Sequence, residues 1–209
     1  VNTLLYLLKT FNKLPCFEFD FDLQITPPQI DLNLGIRKRK PGEDIDSNNL
    51  LDSKLSQKYN SYVQVYTDAS KIASSFSTGC GVFIPQYNIQ KTVKIPEEIT
   101  IMYAEMIAIH IALEEISNLP PAEYIILSDS LSSLQILKKT GVFASNDHLV
   151  LQTKAKLRFL RAQGYNISLA WIPGHSEIIV NEEADRLARM SDTVEDYADY
   201  QIPPQSLIP

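Results

Sequence analysis

The chain has 209 residues, enough for one domain with flanking segments, and its 44% hydrophobic and 21% charged residues are ordinary for a globular protein. Its 19 Lys and Arg against 25 Asp and Glu give a net charge of −6, which excludes a strongly basic nucleic-acid binder of the histone or zinc-finger kind. Two cysteines exclude both a disulfide framework and a four-thiolate zinc site.

The first 60 residues lack a sustained hydrophobic period and are interpreted as a connecting segment. Residues 17–25 (FEFDFDLQI) alternate as a strand does, and we expect them to dock on the domain that follows. The basic residues 37–40 (RKRK) are a solvated charge run, a localisation signal or a phosphate contact, and residues 42–49 predict a linker. Because the chain begins with Val1, we expect it to be a piece of a longer polypeptide. The sequence predicts neither a secretory signal nor a membrane span.

Regular patterns begin at residue 61. Three stretches rich in β-branched and aromatic residues predict a meander of strands over residues 62–67, 76–85 and 88–95. The first of these strands is predicted to end at Asp68. Within the second, Gly79 and Gly81 indicate a bulge or the close approach of another backbone.

The second half alternates helical periods with short apolar strands. The predicted elements are a helix over 102–117, a strand over 124–128, helices over 131–140 and 146–163, a strand over 167–172 and a helix over 181–190. The order β-β-β-α-β-α-α-β-α predicts an α/β fold with a five-stranded mixed sheet flanked by helices. Residues 192–209 lack a period and predict a flexible C-terminal tail.

Four carboxylates occupy positions where acids are costly or unexpected. Asp68 and Asp129 end two predicted strands at the sheet edge where ligand crevices open. Glu105 lies within the apolar stripe of one helix, and Asp185 borders the apolar face of another. Each acid has an ordinary alternative: a turn for the two strand-end aspartates, a buried hydrogen bond for Glu105, and an ion pair with Arg189 for Asp185. A cluster of such hard oxygen ligands selects Mg²⁺ or Mn²⁺.

Four motifs, in the correct order along the chain, resemble the type I ribonuclease H domain. They are residues 66–71 (YTDASK), 103–109 (YAEMIAI), 128–134 (SDSLSSL), and 171–176 (WIPGHS) followed by 181–185 (NEEAD). The resemblance covers residues 61–191 and is closest to the copies in reverse-transcriptase polyproteins of animal non-LTR retrotransposons. It implies the ribonuclease H-like fold, with residues 1–60 trailing from an upstream reverse transcriptase.

The resemblance also implies an activity, namely two-metal-ion hydrolysis of the RNA strand of an RNA/DNA hybrid, with Mn²⁺ able to replace Mg²⁺. It implies that the two ions are held by Asp68, Glu105, Asp129 and Asp185. It further implies that His175, on a loop, assists proton movements or product departure. Recognition would be by shape, with Ser70 and Ser130 placed to contact phosphate or sugar; the alternatives for these serines are an ST-turn and a helix N-cap.

This chain departs from the family pattern at three places. Ala69 stands where the family usually has glycine. Residues 177–180 (EIIV) replace a Gly-Ile-x-Gly-like run, which we expect to stiffen the loop of His175. Residues 141–145 alone separate two helices between which cellular relatives often insert a basic protrusion.

A basic patch is predicted on the helix pair that spans residues 131–163, because Asp147 is the only acid between the first and last of its six cations. These are Lys138, Lys139, Lys154, Lys156, Arg158 and Arg161. The alternative is a solvated helix surface.

Three other functions remain compatible with these patterns. An integrase-like strand transferase or a proofreading exonuclease would share the scaffold. A catalytically weak or inactive domain would support a neighbouring polymerase or hold nucleic acid. For the ribonuclease H interpretation we expect a monomer that acts inside the cell, in the cytoplasm or nucleus, on an RNA/DNA hybrid and beside a reverse transcriptase.

Overall fold

The computed structural model describes residues 27–37, 46–73, 76–140, 147–174, 176–195 and 197–198. The elements in chain order are β1 (Gln29–Asp31), α1 (Ser47–Lys58), β2 (Val63–Ile72), β3 (Ser77–Ile84), β4 (Ile89–Pro96), α2 (Ile101–Ser117), β5 (Glu123–Ser128), α3 (Leu131–Lys138), α4 (His148–Ala162), β6 (Asn166–Trp171) and α5 (Ile179–Arg189). The predicted strand over 17–25, the segment 141–145 and His175 lie outside the described residues.

The sheet is mixed, as predicted, and its strands follow the order β1-β6-β5-β2-β3-β4. Strands β2, β3 and β4 form the antiparallel meander, while β1, β6, β5 and β2 run parallel. The α/β class is therefore confirmed, with six strands in the described part of the chain where five were predicted. The extra strand, β1, has three residues, too few to show an alternating pattern.

The predicted end of the first meander strand was wrong. Strand β2 continues through Asp68 to Ile72, because its antiparallel pairing with β3 extends to the pair Ile72 and Ser77. The parallel pairing of β2 with β5 ends earlier, at Thr67 and Ser128. Asp68 therefore lies in mid-strand, one residue beyond the last parallel pair.

Helix α1 occupies part of the predicted linker. Asp46 is its N-cap, and the Asp46 carboxylate accepts the backbone N–H groups of Asn48 and Asn49, both at 3.0 Å. The linker predicted over 42–49 is thus helical from Ser47 onward. The helix is short and mostly polar, so its pattern carried little signal of burial.

Helix α1 completes the second face of the sheet. Its Leu51 and Leu55 pack with Ile125 and Leu127 of β5, in a core that also includes Tyr66. On the opposite face, α2, α3 and α4 cover the larger core, to which β5 contributes other side chains. The prediction that the strand over 124–128 is buried on both faces is confirmed.

The start of the predicted C-terminal tail lies along the sheet edge. A 3₁₀ helix (Met190–Thr193) follows α5, and Tyr197 then forms a bridge to Lys94 of β4. The Lys94 ammonium lies 4.9 Å from the centre of the Tyr197 ring, and the Ala198 N–H donates to the Lys94 carbonyl at 2.9 Å. None of the helices that the structure describes is long and apolar enough to cross a membrane.

Candidate active site

Three of the four predicted acids converge where the parallel pairing of the central strands β2 and β5 ends. Asp68, Glu105 and Asp129 each place a carboxylate oxygen within 4.8 Å of the other two; we call these residues the three-acid cluster. They come from mid-strand β2, from the buried stripe of α2 and from the residue after β5. Asp68 and Glu105 are buried, whereas Asp129 is half-buried.

The fourth acid, Asp185 on α5, lines the same cavity of about 400 Å³ but stands outside the cluster. Its carboxylate is paired with Arg189, at 2.7 Å to Nη2 and 3.0 Å to Nε. The ordinary alternative for Asp185, an ion pair one turn along the helix, is therefore present. Asp185 nevertheless lines the cavity, which is the position that a ligand of a second metal ion would need.

The cluster is electrostatically strained. Burial, followed by the charges of Asp129 and Asp185, raises the pKa of Asp68 to about 7. Burial, followed by the charges of Asp68 and Asp129, holds the pKa of Glu105 well above its usual range. The Glu105 Oε2 atom is buried and has no hydrogen-bond partner among the described residues. A bound cation would offset the repulsion between the carboxylates and would give the buried Glu105 oxygen a partner.

The donor set of the cluster suits a hard divalent cation. All of its donor atoms are carboxylate oxygens, which favour ions of the Mg²⁺, Mn²⁺ or Ca²⁺ type over zinc or copper. The buried Glu105 Oε2 atom, which lacks a hydrogen-bond partner among the described residues, belongs to one of these three acids. The cluster is therefore able to hold a metal ion.

Two glycines let α5 approach the sheet closely enough to reach this cavity. A Cβ atom at Gly79 would overlap the carbonyl oxygen of Ala188 and lie 2.8 Å from its carbonyl carbon. A Cβ atom at Gly81 would overlap the carbonyl oxygen of Ala184 and lie 2.7 Å from the Ala188 nitrogen. Of the two predicted explanations for these glycines, the close approach of a backbone is therefore correct.

The last residue of β6 and the loop that follows β6 both pack on Asp129. The Trp171 indole Nε1 donates to the Asp129 carbonyl oxygen at 3.1 Å. A Cβ atom at Gly174 would overlap Asp129 Oδ2 and lie 3.0 Å from its Cγ. The motif that contains His175 thus leads the chain past the cluster, although His175 itself is outside the described residues.

The two predicted substrate-contacting serines have different surroundings. Ser70 is half-buried and lines the cavity. Ser130 is buried at the N-terminus of α3, but its hydroxyl does not cap that helix. Instead its Oγ lies 2.7 Å from the Ser133 hydroxyl, which donates to the Met102 carbonyl at 3.1 Å. The hydroxyl of Ser133 therefore joins α3 to α2, and the hydroxyl of Ser130 contacts it.

The six cations of the predicted basic patch differ in exposure. Lys154 is buried among the inner residues of α4, and its ammonium donates to the Lys139 carbonyl at 2.6 Å, at the end of α3. Burial lowers the pKa of Lys154. Lys156 bonds Ser117, and Arg161 bonds the Ile167 carbonyl. The side chains of the patch that are exposed are those of Lys138, Lys139 and Arg158.

Sequence reasoning did not assign Asn181 to the site. Asn181 is buried one turn before Asp185, lines the cavity, and leaves its Oδ1 atom without a partner among the described residues. Its spacing of four residues from Asp185 was the available signal, since such residues share a helix face. Lys71 also lines the cavity, beyond the predicted end of β2.

Comparison with known families accounts for this arrangement. The family model for RNase H matches residues 60–192, a segment that holds all four acids and omits β1 and α1. A comparison with curated proteins finds no match. The matched segment covers more than half of the chain and contains the three-acid cluster and α5. The chain belongs to the RNase H family.

Proposed function

We propose that this protein is an endoribonuclease that hydrolyses the RNA strand of RNA/DNA hybrids. The observation that carries the proposal is the three-acid cluster, whose buried Glu105 oxygen lacks a partner in the described structure, in a chain of the RNase H family. Such a set of carboxylates repels itself when ionised, and a bound cation or a proton offsets that repulsion. The substrate class comes from the family.

The residues would divide the work as follows. Asp68, Glu105 and Asp129 would hold Mg²⁺, or Mn²⁺ in its place, and Asp185 would complete a second ion site. When bound, two such ions activate water and stabilise the departing 3′ oxygen. The Asp185 carboxylate is paired with Arg189, and in the proposed site it would exchange that pair for a metal ion. His175 is proposed to assist proton movements or product departure.

Substrate contacts are proposed around the cavity. Ser70 lines it and is close enough in the chain to Asp68 to meet the phosphate that is cut. The exposed cations Lys138, Lys139 and Arg158 are retained as phosphate contacts farther along the duplex. Lys154 is omitted, because its ammonium is used to bond α3. Recognition of the hybrid would rest on its shape and its 2′-hydroxyls.

The biological setting is also proposed. Motifs of the non-LTR retrotransposon type suggest that the chain serves reverse transcription, as part of a polyprotein with an upstream reverse transcriptase. In that setting it would act as a monomer, in the cytoplasm or nucleus.

A cleavage assay tests the proposed activity. Labelled RNA/DNA hybrid, RNA alone and duplex DNA are incubated with the protein and Mg²⁺, and we expect only the RNA of the hybrid to be cut. Asp129→Asn should abolish cleavage with a thermal unfolding curve that shows an intact fold. Glu195→Gln, which removes an exposed acid in the C-terminal segment, should cleave like the wild type. Cleavage of duplex DNA alone, or no cleavage by the wild type, would contradict the proposal.

A further inference from the structure

The side chain of Asn48, on α1, holds a distant turn at both of its sides. Its Nδ2 donates to the carbonyl oxygen of Glu177, and its Oδ1 accepts the backbone N–H of Ile179, each at 2.9 Å. The two bonds flank Ile178 and use both ends of the amide. A half-buried side chain of α1 therefore pairs with backbone that immediately precedes and begins α5.

Helix α5 needs this external partner. Its N-cap residue is Ile178, whose side chain has no oxygen with which to accept a helix N–H group. The Ile179 N–H is one of the donors that a helix leaves unsatisfied at its start. Asn48 supplies the missing acceptor from another helix, whereas capping groups normally come from the N-cap residue itself.

The same turn carries backbone strain. Glu177 has a φ angle of +56°, in the left-handed region that favours glycine. Its neighbours Ser176 and Ile178 are buried, which fixes the chain on each side. The bond from Asn48 to the Glu177 carbonyl holds the peptide that this conformation presents. Because residue 177 of this chain is a glutamate, its backbone does not favour the left-handed conformation by itself. The side-chain amide of Asn48 helps to hold that conformation.

The turn lies between two parts of the active site. Upstream, Gly174 packs against the carboxylate of Asp129. Downstream, Asn181 and Asp185 follow on α5 and line the cavity. Helix α1 is itself anchored, because Leu51 and Leu55 are buried in the second core. A displacement of the turn would therefore move groups on both sides of the cavity.

We propose that Asn48 is a positioning residue of the active site. Through it, an N-terminal helix that lies outside the family match sets the start of α5 and the loop that leads to it. The catalytic part of this inference rests on the proposed function. Its structural part, the restraint of the turn by Asn48, does not.

The test compares Asn48→Ala with Asn49→Ala, a matched variant whose side chain bonds Asp46 within α1. Hydrogen exchange of the Ile179 amide is measured by NMR in metal-free protein, and steady-state cleavage of a hybrid is measured with Mg²⁺. Asn48→Ala should speed exchange of that amide about tenfold, as expected for a lost hydrogen bond. Its kcat should fall about threefold to tenfold with KM within about twofold, because the turn positions reacting groups and touches no substrate. Asn49→Ala should leave all three quantities near the wild-type values.

Asn48→Asp separates the two bonds. The carboxylate at position 48 still accepts the Ile179 N–H but cannot donate to the Glu177 carbonyl. The exchange rate of the Ile179 amide should therefore stay near that of the wild type, and the kcat of this variant should lie between those of Asn48→Ala and the wild type. Unchanged exchange in Asn48→Ala, or an equal loss in Asn49→Ala, would overturn the inference even if the wild type cleaves hybrid. Faster exchange in Asn48→Ala alone would support the restraint even if the wild type cleaves no hybrid.

Discussion

Replacing Asp68 with asparagine should stabilise the metal-free protein. Asp68 is only 8% exposed, and burial together with the charges of Asp129 and Asp185 raises its pKa from 3.8 to about 7. Asparagine has the same shape, and its Oδ1 can still accept the Ala69 N–H, which lies 2.7 Å from Asp68 Oδ1. The substitution therefore removes the buried charge and keeps the local hydrogen bond.

The sign of the effect follows from the direction of the pKa shift. The folded protein holds a proton on Asp68 that the unfolded chain releases near pH 4. Stability from this group is thus complete below pH 4 and is lost as the pH rises through about 7. A pKa shift of this size lowers the free energy of unfolding by at most about 4 kcal/mol above pH 7. Because Glu105 competes for the same proton, we expect Asp68→Asn to recover roughly 2–4 kcal/mol at pH 8.

Urea unfolding with a chelator present measures this difference. At pH 8, Asp68→Asn should have the higher free energy of unfolding, and the gap should narrow toward pH 4. Glu195→Gln removes an exposed charge and should change stability by less than about 0.5 kcal/mol. Added Mg²⁺ should stabilise the wild type and have little effect on the variant. A variant that is no more stable than the wild type at pH 8 would show that the buried charge of Asp68 does not destabilise the metal-free protein.

Three further predictions follow from packing and charge. Gly81→Ala should destabilise the protein by about 1–3 kcal/mol and reduce hybrid cleavage, because its methyl group would overlap the Ala184 carbonyl and push α5 away. An unchanged thermal unfolding temperature together with unchanged cleavage would contradict this prediction. Leu55→Ala should cost about 2–5 kcal/mol in urea unfolding, whereas the exposed control Gln57→Ala should cost less than about 0.5 kcal/mol; equal losses would mean that α1 contributes little to the second core. Mg²⁺ affinity should fall as the pH is lowered from 8 to 6, because protons held by the three-acid cluster must be released; calorimetry that finds no proton release at pH 7 would contradict this.

Much of the fold was predictable because its patterns are local. The bounds of the predicted helices and strands between residues 76 and 190 lie within two residues of those observed. The apolar run at 124–128 implied burial on both faces, which is what β5 shows. The acids were identifiable for a related reason: Glu105 interrupts an otherwise apolar helix stripe, and a carboxylate there has no ordinary solvated role. All four acids lie within the segment that matches the RNase H family model.

The remaining features depend on contacts between residues far apart in the chain. Nothing in the pattern of residues 46–58 indicates that Leu51 and Leu55 cover β5, since a short polar helix becomes part of a core only when a sheet face is present to receive it. Likewise, Lys154 looks like a surface cation in sequence, but the end of α3 offers its ammonium a carbonyl.

The order of elements from residue 61 onward, the family and the four candidate acids were predictable from sequence, because hydrophobic period and motif spacing are properties of neighbouring residues. How the acids are held depends instead on the packing of elements that are distant in the chain. Tertiary packing brought three carboxylates into one cluster and placed Asn48 of α1 beside the start of α5, whose own N-cap is apolar. Each of these outcomes is set by the distance between separate elements, a quantity that sheet pairing and close packing fix.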